Sequence, residues 1–240
     1  MKFDKSILRE ADIRGVYGTQ IKPAFATRLG LVFGSYLKTI NVKTVVVGHD
    51  NRIGGVELSK NLVDALTSTG IDVIFIGLVT TPMLNFASRE LGVEYGIMVT
   101  ASHNPACDNG FKLFGKNYQH CDYDELKIIY DALSNREYKI YTGKGTIKNL
   151  EINDLYSKRM RESISLGNRK MKVVVDPGNG TASIIVKKIY NRFPFDVVFI
   201  NDVSDPTFPN HHPDPNVKAN MKQLCDAVIE HSADLGLAYD

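Results

Sequence analysis

The segment of this sequence best suited to covalent chemistry is Thr100-Ala-Ser-His-Asn-Pro105. It closes a run from Tyr95 to Thr100 that reads as a buried strand. Ligands of open α/β sheets gather at the carboxyl ends of strands. Asn104-Pro105 turns the chain there, and a serine on such a turn can expose its hydroxyl as a nucleophile or a phosphoryl carrier. A plain polar strand-end turn would use the same residues, and adjacency alone does not bring His103 within reach of Ser102. Shortly after comes Asp108-Asn-Gly-Phe-Lys112. Asn109-Gly110 is a turn signal that would swing Lys112 back beside the strand leading to Ser102. A lysine there could neutralise phosphate or act as general acid or base; a solvated lysine in a hairpin is the simpler alternative.

Other segments carry weaker signals. In Asp12-Ile-Arg-Gly15, Arg14 could fork a phosphate or make a surface salt bridge. Gly48-His-Asp-Asn-Arg52 lies at another strand end, where Asp50 and Arg52 could support a site, with Asp50 competing as a helix cap. Asp176-Pro-Gly-Asn-Gly180 joins a strand to a helix, as phosphate-cradling loops do. It lacks both the Gly-Lys-Ser/Thr of a P-loop and the spacing of a dinucleotide fingerprint, so a tight turn is expected. Asn179-Gly-Thr181 matches a glycosylation acceptor, discounted because the start of the sequence shows no export signal. Adjacent histidines usually point apart, so His211-His-Pro-Asp-Pro-Asn216 reads as a rigid loop rather than a metal site. Cys107, Cys121 and Cys225 are odd in number and widely spaced, which fits a reducing compartment and neither a disulfide framework nor a zinc pattern.

The elements that must position these residues alternate. Strands are expected at 43–48, 72–77, 95–100 and 111–114, with helices at 24–40, 55–69, 82–91 and 123–134. Gly70 supplies a helix stop and Pro82 a helix start. Residues 135–150 are polar and patternless, so a domain boundary is placed at 145/146. A second unit follows, with helices at 152–165, 181–190 and 217–231 and strands at 172–176, 195–201 and from 233 onward. The βαβ order predicts two consecutive three-layer α/β domains, 1–145 and 146–240, with mixed, mainly parallel sheets. The last strand runs to the final residue, so the second domain is expected to be incomplete.

Composition narrows the classes. At 240 residues the chain can bury a large core without disulfides or metals. Lys+Arg 29 against Asp+Glu 27 is too balanced for a dedicated nucleic-acid or membrane-surface binder. No apolar stretch is long enough to span a bilayer. A soluble, cytoplasmic protein with no nucleic-acid or membrane partner is expected.

Taken in order, the motifs resemble the α-D-phosphohexomutase family, in particular its bacterial phosphomannomutase/phosphoglucomutase branch. The carriers are Asp12-Ile-Arg-Gly15, Val47-Gly-His-Asp-Asn-Arg52, Gly96-Ile-Met-Val-Thr-Ala-Ser-His-Asn-Pro105, Asp108-Asn-Gly-Phe-Lys-Leu-Phe-Gly115, Val175-Asp-Pro-Gly-Asn-Gly180, Pro213-Asp-Pro-Asn216 and Ala233-Asp-Leu-Gly-Leu-Ala-Tyr-Asp240. The resemblance implies a phosphoryl shuttle between O1 and O6 of a hexose phosphate, of mannose or glucose. Ser102 would carry the phosphoryl group, with a hexose 1,6-bisphosphate as intermediate and activator. Arg14, His103 and Lys112 would surround the phosphate, Lys112 as general acid/base. Mg²⁺ would bind Ser102 and the aspartates of an Asp-Gly-Asp-Gly-Asp-Arg loop, of which Asp240 matches the first. The family often carries an aromatic residue before Asp-Ile-Arg-Gly, where this chain has Ala11. By the same likeness the chain corresponds to the first two domains of a mutase and is expected to be inactive alone. The partners implied are sugar phosphates and a possible separate chain carrying the missing C-terminal domains. The alternatives are a truncated fragment or binding half that needs a second chain, and the sister activity, phosphoglucosamine mutase.

Overall fold

The computed structural model describes residues 3–240. Contacts divide them into two compact units. The first runs to Ala101 and resumes over Cys107–Glu151; the second comprises Ile152–Asp240 and the short loop Ser102–Ala106.

The first unit is built on a six-stranded sheet. Its strands are β1 (Ile13–Val16), β2 (Thr44–His49), β3 (Asp72–Leu78), β4 (Gly96–Val99), β5 (Asp108–Phe114) and β6 (Ile147–Asn149), in the order β1-β5-β4-β2-β3-β6. Pairings among β4, β2, β3 and β6 are parallel, and β5 is antiparallel to both β4 and β1. The helices are α1 (Pro23–Thr39), α2 (Gly55–Ser68), α3 (Thr81–Leu91) and α4 (Tyr123–Ser134). β2 is a continuous β-branched run because both its faces are covered. Val45 and Val47 join the core formed with Phe25, Leu29 and Phe33 of α1 and Leu58, Leu62 and Leu66 of α2. Val46, which points to the opposite face, is also fully buried. α3 packs against β2 and β4.

Two glycines set the approach of α1 to α2. A Cβ at Gly30 would lie 2.7 Å from both Ala65 Cβ and Leu62 O, and one at Gly34 would lie 2.3 Å from Thr69 Oγ1. Gly30→Val therefore overpacks a contact that includes backbone, and it is expected to cost about 1–3 kcal/mol. Urea unfolding checks this: a lower midpoint at unchanged slope is expected, and an unchanged midpoint would show that the helices can part freely.

The second unit is a wholly parallel three-stranded sheet of β7 (Lys172–Asp176), β8 (Asp196–Phe199) and β9 (Leu235–Ala238), in the order β8-β7-β9. Three helices accompany it: α5 (Asn153–Ser163), α6 (Val186–Tyr190) and α7 (Lys222–Glu230). Successive residues of β7 serve opposite faces. Val175 packs with Ala182, Val186 and Tyr190, and Val174 packs with Leu224 and Ala227.

Several expectations shift. β1 and β6 lie in segments that show no strand pattern. β6 pairs with β3, so residues 147–149 extend the first sheet, and contacts divide after Glu151 rather than at 145/146. The helix expected over 181–190 is a 3₁₀ turn, Thr181–Ile184, followed by the short α6. That expected over 217–231 likewise opens as a 3₁₀ turn, Lys218–Met221. β5 starts at Asp108, so Asn109-Gly110 lies inside a strand and is not a hairpin turn. The physical reason is close backbone approach: a Cβ at Gly110 would lie 2.0 Å from Ile13 O and 3.0 Å from Thr100 O. Among the described residues no helix is long and apolar enough to cross a membrane, and the three cysteines are unpaired.

Candidate active site

Ser102 follows the end of β4 on the loop 102–106, and its backbone is left-handed, with φ 55°. A non-glycine residue in that region is strained by about 1–3 kcal/mol and persists only where its surroundings fix it. In the second unit, Ser102 Oγ donates to Asp240 Oδ2 at 3.1 Å, and His103 Nδ1 lies 3.3 Å from the same oxygen. Asp240 is two residues beyond the end of β9, whose register beside β7 is fixed by Asp176 pairing with Ala238. The structure therefore brings together Ser102, His103 and Asp240. Asp214, in the nearby His-Pro-Asp-Pro turn, is held below the usual carboxylate range chiefly by the Asn216 backbone N–H, and also by His103.

Arg14 and Lys112 converge separately, in the first unit, on Asp12. Arg14 Nε donates to Asp12 Oδ2 at 2.8 Å, its Nη2 lies 2.7 Å from that oxygen, and Lys112 Nζ donates to it at 3.0 Å. The side chains of Arg14, Lys112 and Asp12 are only 12%, 14% and 6% exposed. Neither the surface salt bridge nor the solvated lysine left open by the sequence describes them. Burial works to raise the Asp12 carboxyl, but hydrogen bonds from Arg14 and Lys112, with their charges, hold it below its ordinary value. Lys112 does lie beside the strand leading to Ser102: β5 runs antiparallel to β4, with Lys112 opposite Met98. The reversal is made by residues 101–107.

Asp12, the carboxylate shared by Arg14 and Lys112, is not among the candidates that residue type and position suggest. Its signal was the spacing Asp12-x-Arg14, which puts both side chains on one face of an extended segment. Asp50 does not cap α2, whose N-cap is Gly54 with no side-chain bond; it is turned inward, 7% exposed. The Asp176 loop is the expected tight turn, with Gly178 N donating to Asp176 Oδ1 at 2.8 Å. Asp176 also binds His211 Nε2 at 3.0 Å, so His211 secures a loop, as its motif suggested.

The donors present would fit part of a magnesium shell. Mg²⁺ takes six oxygens in near-octahedral array, and Ser102 Oγ and Asp240 Oδ2 are two oxygens that already converge. Among the described residues, no three His, Cys, Asp or Glu side chains group to hold a metal.

Comparison with known proteins identifies the family of this fold. Residues 5–139 match the phosphoglucomutase/phosphomannomutase alpha/beta/alpha domain I, and residues 153–240 match domain II. The chain belongs to the phosphoglucomutase/phosphomannomutase family. It is 35% identical over 235 residues to the phosphomannomutase/phosphoglucomutase of Pseudomonas aeruginosa, covering 98% of this chain and 50% of that protein. It is 32% identical to the phosphoglucomutase of Neisseria meningitidis, covering 98% of this chain and 51% of that one. A crystal structure of a phosphoglucomutase/phosphomannomutase family protein from Burkholderia thailandensis superposes with a TM-score of 0.91 at 32% identity, over 100% of this chain and 53% of the other. The chain thus spans about half the length of the curated relatives it matches.

Proposed function

We propose that this chain is the N-terminal part of a phosphohexomutase that interconverts the 1- and 6-phosphates of mannose or glucose through a phosphorylated Ser102. One observation carries the reading: a strained, left-handed serine at the end of a parallel strand, hydrogen-bonded to a carboxylate whose own strand register is fixed. Ser102 Oγ donates a phosphoryl group to one sugar hydroxyl, a hexose 1,6-bisphosphate forms, and the other phosphate returns to Ser102. As the O–P bond to Ser102 Oγ breaks, Lys112 as general acid/base passes the proton lost by the attacking sugar hydroxyl to that oxygen. In the return step the proton moves the opposite way. Arg14 and His103 bear on the phosphate oxygens, and Asp12 keeps Arg14 and Lys112 in place. Mg²⁺ would be held by Ser102 or its phosphate and by Asp240, and it supplies neutralisation of the charge on the transferring group.

The remaining metal and sugar ligands come from further residues, on the same polypeptide or on a separate chain. The half-length coverage of the relatives supports this. A cytoplasmic site of action is part of the same reading, and the three unpaired cysteines support it.

A coupled assay for glucose 6-phosphate formed from glucose 1-phosphate, with Mg²⁺ and a bisphosphate activator, tests the reading. The active enzyme, meaning this chain with the rest of the mutase, turns over. The 240-residue chain alone does not. Turnover by the chain alone in the usual range of roughly 1–10³ s⁻¹ would show that it already holds a complete site. In the active enzyme Lys112→Met lowers kcat by about 10²–10⁴-fold, the usual loss for a general acid/base. A near-normal rate across pH would deny it that role.

A further inference from the structure

The loop that carries Ser102 is gripped at its foot by a buried ion pair. Its outgoing stem is Val99-Thr100 and its returning stem is Asp108-Asn109-Gly110, joined by Thr100 N donating to Gly110 O at 2.9 Å. Residues 50–53, just past the end of β2, hold both. On the outgoing stem, Asp50 N donates to Val99 O at 3.0 Å and the Asp50 carboxylate is hydrogen-bonded to the Thr100 side chain. On the returning stem, Arg52 Nη1 donates to Asp108 O at 3.1 Å and Asn109 Nδ2 donates to Ile53 O at 2.9 Å. The two halves of the grip are tied together: Arg52 N donates to Asp50 Oδ1 at 3.0 Å, and Arg52 Nε lies 3.5 Å from Asp50 Oδ2. The Arg52 side chain is 1% exposed and that of Asp50 10%.

Stability alone gives a weak reason for such a pair. Desolvating a guanidinium and a carboxylate costs about what their attraction returns, and apolar residues of similar volume often do as well. What an apolar residue cannot do is span from the Asp50 carboxylate, which bonds the outgoing stem, to a carbonyl on the returning one. A lysine cannot do it either, because its single ammonium lacks the planar fork that bonds in two directions at once.

We propose that Arg52, locked by Asp50, is a positioning residue that sets the spacing of the two stems and so holds Ser102 in its left-handed, reactive presentation. The proposal rests on the reading of Ser102 as the phosphoryl carrier. Arg52 acts through the backbone of the loop, so it governs how often the serine is aligned for transfer and leaves sugar affinity nearly untouched.

Two measurements on Arg52→Met and Arg52→Lys decide it. On the chain itself, hydrogen exchange read by mass spectrometry should quicken in peptides covering 99–110 and stay slow in α1 and α2. In the active enzyme, kcat should fall by about 10²-fold, the loss expected for a misplacement of around 1 Å, with KM for glucose 1-phosphate little changed. Lysine should fail to rescue. Wild-type kcat in either variant, unchanged exchange at 99–110, or a loss that tracks the unfolded fraction at the assay temperature would overturn the proposal. Should Arg52→Met fail to fold, Arg52→Lys keeps a cation in the cavity and carries both measurements. If the active wild-type enzyme bears no phosphate on Ser102, the mutase reading fails, while the exchange measurement still judges the grip on the loop by itself.

Discussion

Replacing Ser102 with alanine is expected to abolish phosphoryl transfer in the active enzyme and to leave the fold in place. The hydroxyl is the only group lost. Ser102 bears the one hydroxyl on the 102–106 loop, so the drop should approach the roughly 10⁶-fold seen when a catalytic nucleophile is removed. Stability should separate from activity at this position. Alanine at φ 55° keeps the left-handed strain, whereas glycine relieves about 1–2 kcal/mol of it and gives back roughly 0.5–1 kcal/mol in chain entropy. Ser102→Gly should therefore be as inactive as Ser102→Ala and slightly more stable. Paired turnover and thermal-melting measurements read both effects. Retained turnover in either variant would remove Ser102 from the chemistry. A glycine variant less stable than the alanine one would remove the strain.

The second large effect is on stability. Asp12→Ala leaves Arg14 and Lys112 as two adjacent buried cations without their shared carboxylate. Breaking a buried ion pair from one side costs about 3–5 kcal/mol, and here one carboxylate serves two partners. Urea unfolding at neutral pH should show the loss as a marked fall in midpoint. The pH dependence has a definite sign. The Asp12 carboxyl sits below its ordinary 3.8, because the bonds from Arg14 and Lys112 overcome the opposing effect of burial. Its contribution is therefore complete above the ordinary carboxylate range and is lost as pH falls through the depressed value. Wild type should lose stability below about pH 4 more steeply than Asp12→Ala. Parallel acid titrations of the two proteins would contradict the arrangement around Asp12.

What the sequence made legible follows from how each element is buried. β2, β3 and β7 are runs of Val, Ile and Phe that show in composition alone, because strands covered on both faces are apolar throughout. β1 and β6 lack that signature. β6, Ile147-Lys-Asn149, is an exposed edge strand with a single apolar residue. β1, Ile13-Arg-Gly-Val16, owes its place to partners on β5 that lie far along the chain. Asn109-Gly110 reads as a turn from the dipeptide, yet its glycine is there so that Ile13 O and Thr100 O can approach. Local grammar cannot tell a glycine needed for φ from one needed for space. The site divides in the same way. Ser102 and Lys112 are visible as residue types at a strand end and beside it. Asp12 as the shared anion, the left-handed backbone at Ser102 and the Asp50–Arg52 grip are tertiary facts. Each depends on contacts between segments that the sequence does not place side by side.

The central claim is that Ser102 carries the phosphoryl group, and phosphopeptide mapping tests it most directly. The active enzyme is incubated with glucose 1,6-bisphosphate and Mg²⁺, quenched, digested and sequenced by mass spectrometry. One phosphoryl group is expected, on Ser102; it is lost only slowly to water, and it passes to glucose 1-phosphate at the rate of turnover when that acceptor is added. An active enzyme with Ser102 unmodified throughout, or with its phosphate on another residue, would contradict it.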